Sequence, residues 1–79
     1  MTYEPMEDVV LTHDIPEHGL KAGDLGTVVH VYNSRGVEVE FGTASGQTTA
    51  VLTLKSDEVR RPGGDDLYAV RPFGASTPR

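Results

Sequence analysis

His13-Asp14 and Glu17-His18 set two imidazoles and two carboxylates within six residues, the densest group of side chains in this sequence that could do chemistry. Imidazole nitrogens and carboxylate oxygens ligate zinc and other divalent ions, and a histidine beside a carboxylate can act as a tuned base. The spacing argues against both. Pro16 lies between the two pairs, so no helix can carry them at i, i+4 on one face. The expectation is a solvated loop whose polar side chains satisfy its own backbone, with no metal and no cofactor assigned to it.

Other routes to catalysis lack their parts. Ser34, Ser45 and Ser56 fall in turn segments without a neighbouring base, and no serine-centred nucleophile motif is present. Gly19-Leu20-Lys21-Ala22-Gly23 has neither the length nor the Lys-Ser/Thr ending of a phosphate-binding loop. With no cysteine there is no thiolate nucleophile, no disulfide and no cysteine-based zinc site. The reading is therefore a protein that binds rather than catalyses.

Candidate binding residues do stand out. Glu38 and Glu40 alternate with Val37, Val39 and Phe41, so both glutamates project from one strand face. Together with Asp14 and Glu17 they make an acidic stripe, either ordinary solvated charge or a surface complementary to a basic protein. His30 alternates with Val29 and Val31 and shares its face with Tyr32, a rim position that could contact a ligand. Leu67-Tyr68-Ala69-Val70-Arg71-Pro72-Phe73 puts two aromatics and two aliphatics in a segment too polar elsewhere to fold alone, suited to docking on the domain or on a partner. The expected partner surface is thus Asp14, Glu17, His18, Tyr32, Glu38, Glu40, Tyr68 and Phe73.

Charge narrows the partner. The formal net charge is -5, and residues 1–61 carry all of it. Such a surface repels a phosphate backbone unless its few cations gather on one face. Arg60, Arg61 and Arg71 could gather as such a patch, thin support for nucleic-acid binding. No run approaches the roughly 20 apolar residues of a membrane-spanning helix, and no basic segment followed by an apolar run opens the chain. A soluble, cytoplasmic protein is expected, with another protein, basic in character, as its partner.

These residues need elements to hold them. At 79 residues there is room for one domain, and a chain of that size buries only about 60% of its unfolded surface. Val9-Val10-Leu11 reads as a first strand, followed by a long glycine- and proline-rich loop, 14–26, that Ile15 and Leu20 anchor under the core. Gly26 to Tyr32 and Val37 to Phe41 are strands joined by the tight turn Asn33-Ser34-Arg35-Gly36. Gln47 to Leu54 follows, with Ala50, Leu52 and Leu54 inward; Lys55 to Glu58 suits a 3₁₀ turn before Val59-Arg60-Arg61. Five short strands and no helical period predict an all-β fold, a small closed or partly closed SH3-like barrel over residues 1–61. Residues 62–79 are expected to be a flexible or docking tail, with Leu67 to Val70 either an added edge strand, open to pairing with a second copy, or a docking segment; Gly74 to Arg79 reads as disordered.

Gly23-Asp24-Leu25-Gly26-Thr27-Val28 resembles the glycine-punctuated turn of KOW motifs and other SH3-like barrels. Taken with Val9-Val10-Leu11, Asp14-Ile15-Pro16-Glu17-His18-Gly19-Leu20 and Ala50-Val51-Leu52-Thr53-Leu54, it makes the chain similar, over residues 8 to about 61, to a bacterial family called domain of unknown function 4926. That resemblance implies an SH3-like barrel and a small stand-alone bacterial protein, and brings no established activity or catalytic residue. The expected function is a non-catalytic interaction module, for instance the acidic member of a two-gene pair that covers its neighbour's basic surface as antitoxin or immunity proteins do. The alternative is a KOW-type nucleic-acid-binding barrel.

Overall fold

The alternation Val37-Glu38-Val39-Glu40-Phe41 becomes a strand whose three apolar residues are 1%, 0% and 2% exposed. In the computed structural model, which describes residues 2–74, it lies within strand β3 (Gly36–Gly42) of one antiparallel sheet. The others are β1 (Asp8–Leu11), β2 (Leu25–Asn33), β4 (Thr48–Lys55) and β5 (Val59–Arg60). Single 3₁₀ turns, Pro16–His18 and Ser56–Glu58, are the only helical pieces among the described residues. The class is all-β.

The strand order is β4-β3-β2-β1-β5, so the edges are β4 and β5, and hydrogen bonds do not close the ladder into a barrel. Those two edges are nevertheless consecutive in the chain, joined only by Ser56–Glu58. In a flat sheet they would lie roughly 19 Å apart at about 4.8 Å per strand, more than the roughly 14 Å this connection spans fully extended. The sheet must curl, and the curl brings residues from all five strands onto one core: Val9, Leu11, Val28, Val37, Val39, Phe41, Leu54 and Val59. Ile15 and Leu20 pair with each other across the loop and seal one end, as their apolar character suggested. Ala50 and Leu52 pack half-buried against the same cluster.

Two departures from the alternation rule follow from backbone irregularities. The register between β2 and β3 steps from Val28↔Val39 to His30↔Glu38, which leaves one extra residue on β2. Val28 is consequently buried and Val29 turned outward at 37% exposure, whereas alternation had set Val29 beside Val31. The amino-terminal lead-in also enters the core. Tyr3 is only 7% exposed, its hydroxyl donates to the Val59 carbonyl at 3.2 Å, and the Arg61 guanidinium lies 4.6 Å over its ring.

Beyond Arg61 the chain turns back. Asp66 accepts from the Gly63 amide at 2.6 Å and from both terminal nitrogens of Arg60 at 2.7 and 3.1 Å. This tight turn directs the chain away from the two-residue edge β5. Leu67 to Val70 therefore adds no strand: Leu67, Tyr68 and Val70 are 91%, 79% and 99% exposed. Of the segment Gly74 to Arg79 expected to be disordered, Gly74 ends the described chain in a turn and residues 75–79 fall outside the described residues.

Candidate functional site

The outward face of the sheet carries the first cluster. The irregular part of β2 brings the His30 and Tyr32 rings edge to face, centroids 4.5 Å apart and planes at 70°. The Tyr32 hydroxyl donates to Glu38 Oε1 at 2.9 Å, and Glu38 is the cross-strand partner of His30. Tyr32 is thus 52% exposed yet fixed at ring and hydroxyl, so a partner could cover it with little loss of side-chain freedom. Glu40 shares the face and accepts from the Thr48 hydroxyl. Val29 and Val51, the latter opposite Glu40 on β4, add exposed apolar surface.

The loop that was expected to hold polar groups for its own backbone does so in part. Asp14 Oδ1 accepts the Ala22 amide at 2.8 Å, while Glu17 and His18 sit exposed in the 3₁₀ turn ended by Gly19 at φ +70°. His13 leaves this group. Its Nε2 lies 2.9 Å from Glu58 Oε1 and its Nδ1 2.9 Å from the Asp14 carbonyl oxygen. Two acceptors suit an imidazolium, which donates from both nitrogens, so Glu58 first and the carbonyl second hold the His13 pKa above its ordinary value. Glu58 is held below its own ordinary value, chiefly by the Lys55 amide at 2.7 Å, with His13 adding to it. Among the described residues no three histidine or carboxylate side chains converge on one point.

The second cluster joins the loop to the tail. Arg71 forks onto Asp24, Nε to Oδ1 at 3.0 Å and Nη2 to Oδ2 at 2.5 Å, and Nη2 also donates to the Gly19 carbonyl at 3.0 Å. Burial raises the Asp24 pKa, but Arg71 and the Lys21 amide at 2.8 Å more than offset it, and the carboxyl titrates below its ordinary range. The Phe73 ring lies over Gly19 so closely that a Cβ there would stand 3.2 Å from it. A cavity of about 660 Å³ opens beside this contact, with Leu20, Leu25 and Phe41 on the domain side and Val70 and Pro72 on the tail side.

The expected partner residues therefore separate. Tyr32, Glu38 and Glu40 stand together on the sheet; Asp14, Glu17 and His18 belong to the loop, where Phe73 joins them through Gly19; Tyr68 stands free. Asp24 immediately precedes β2 and Tyr32 is near its far end, roughly 20 Å or more along an extended strand. The pairings of Asp24 with Arg71 and of His13 with Glu58 are not announced by local sequence, because each joins residues more than forty positions apart.

All three arginines of the candidate basic patch are tied to carboxylates of the chain itself: Arg60 to Asp66, Arg61 to Glu7 and Arg71 to Asp24. Their charge is neutralised at short range.

Comparison with curated proteins and with solved structures returns no match. The model of one family does match, over residues 6–61, a span that takes in the whole sheet and both 3₁₀ turns and stops where the tail begins. By that match the chain belongs to the family described as Domain of unknown function (DUF4926).

Proposed function

We propose that the protein is a non-catalytic interaction module that offers the sheet face around Tyr32, Glu38 and Glu40 to a basic surface of another protein. One observation carries this reading: Arg60, Arg61 and Arg71 are consumed internally, while Glu38 and Glu40, beside Tyr32, form no ion pair among the described residues. On the sheet this leaves two carboxylates around a fixed aromatic, suited to steering a cationic partner and anchoring it. Small size and acidity fit the member of a two-gene pair that covers its neighbour's basic surface. A KOW-type nucleic-acid barrel finds less support, since Arg60 and Arg61 would have to abandon Asp66 and Glu7 to reach phosphate.

A photo-crosslinking residue at Thr53, the cross-strand neighbour of Glu38, tests the assignment in cells. The expected result is one stoichiometric protein adduct that disappears in E38Q/E40Q and is not formed from Asp65 in the tail. Salt-sensitive binding of RNA or DNA by the purified chain, or adducts formed equally from both positions, would replace this reading with its rival.

A further inference from the structure

We propose that the groove between the Gly19–Asp24 loop and the β3–β4 connection is a recognition site for an arginine-led, aromatic-containing peptide of a partner protein, and that the chain's own Arg71-Pro72-Phe73 holds it shut in cis. The inference rests on the reading of the protein as an interaction module but concerns a second surface.

The acceptor is built before the tail arrives. The Leu11 amide donates to the Asp24 carbonyl at 2.9 Å, the Asp24 amide to the Lys21 carbonyl at 2.9 Å, and the Lys21 amide to the Asp24 carboxylate. The backbone on either side of the carboxylate is thus fixed without the tail, and with Arg71 in place the Asp24 side chain is only 19% exposed. Beside it the Gly19 carbonyl supplies a third acceptor oxygen, and the absent side chain of Gly19 makes a seat for a ring. Two carboxylate oxygens and a carbonyl match the planar fork of a guanidinium and would hold a lysine ammonium less completely.

The occupant, in contrast, fits incompletely. The about 660 Å³ beside it is in the size range of pockets that take a ligand, and Phe73 remains 46% exposed. Val70 and Leu67, just upstream, are left almost wholly in water. A tail selected only to complete the core would bury such residues; a tail that substitutes for another ligand need supply only the anchor contacts. The acceptor residues also lie inside the family-matched span of residues 6–61, and the occupant lies outside it.

Tethering sets the expected competition. The link of residues 62–70, shortened by the Gly63–Asp66 turn, gives the tail an effective concentration of about millimolar or more, so a free peptide of moderate affinity must displace it. The probe is a fluorescent synthetic peptide of the sequence of residues 67–74, added to the full-length chain and to full-length R71Q/F73A. Fluorescence anisotropy is expected to show binding to R71Q/F73A about tenfold or more tighter than to the unaltered chain, and loss of binding when the peptide's arginine is replaced by glutamine or when D24N is added. The glutamine peptide leaves the protein unchanged, so a folding defect in D24N cannot mimic this result. Equal binding to both proteins, no binding to a folded R71Q/F73A, or indifference to the peptide's arginine would overturn the proposal. So would a dimer of the unaltered chain that dissociates on R71Q, since the segment would then come from a second copy. Crosslinking at Thr53 is independent of all these outcomes, and either reading can fail alone.

Discussion

Gly26 shows how little tolerance a small β core has at single positions. A Cβ built there would stand 2.6 Å from Val39 Cγ1 and 2.9 Å from Phe41 Cε1, and both neighbours are fixed by the sheet. G26A is therefore expected to destabilise by roughly 1–3 kcal/mol through overpacking, read as a fall in melting temperature of about 4–8 °C per kcal/mol; an unchanged melt would contradict the packing described. His13 offers a different kind of test. Because its pKa is raised in the fold, its contribution is fully present below the ordinary value of 6.5 and is lost as pH rises through the higher folded value. H13A should lower the melting temperature at about pH 6 and leave it nearly unchanged at about pH 9, a contrast kept small by solvent at this exposed pair. Equal losses at both pH values would mean that the side chain acts by packing alone.

At the scale of elements, β2 is the strand on which sequence and backbone disagree. Strict alternation made β3 legible, since each of its residues keeps the two-residue period. In β2 the inserted residue reverses that period after Val28, and nothing in a run of β-branched residues marks where the insertion falls. V28A should then cost roughly 1–3 kcal/mol for its lost contacts and cavity, while V29T should stay within about 0.5 kcal/mol. Denaturant melts of the two variants decide the matter, because regular alternation predicts the opposite ranking. The hairpins, the long loop with its Ile15 and Leu20 anchors, and the 3₁₀ turn before β5 were readable because local turn chemistry specifies them. Tyr3, Asp24 with Arg71, and His13 with Glu58 were not, because each meets its partner only through long-range packing: the β1–β5 pairing for His13, the lead-in entering the core for Tyr3, and the return of the tail for Arg71. Of the site, then, the acidic and aromatic strand face was legible and the closed groove was hidden.

Across the whole molecule, acid acts on two sets of carboxylates, those held by partners and those left unpaired. Glu7, Asp24, Glu58 and Asp66 are all held below their ordinary values, Asp66 as far as about 2 by Arg60 and the Gly63 amide. In the unfolded chain they would take up protons near 3.8 to 4.5, so between those values and the folded ones the unfolded state binds more protons and stability falls with falling pH. Protonating the remaining carboxylates relieves the repulsion of a chain with net charge -5 only down to the isoelectric point near pH 4.9; below it the cations are in excess and each further proton adds repulsion. Distance decides between them. At about 0.15 M salt, repulsion beyond roughly 8 Å is screened, whereas the arginine pairs are in direct contact and keep most of their attraction. Melting temperature in that salt should therefore drop steadily from about pH 4.5 toward pH 2, and at about 10 mM salt the drop should be steeper because repulsion among the excess cations is then screened less. R71Q should flatten part of the acid slope, since it removes the main cause that lowers Asp24. A melting temperature that rises on acidification at 0.15 M salt would show that unpaired charge, rather than the four held carboxylates, governs the stability of this fold.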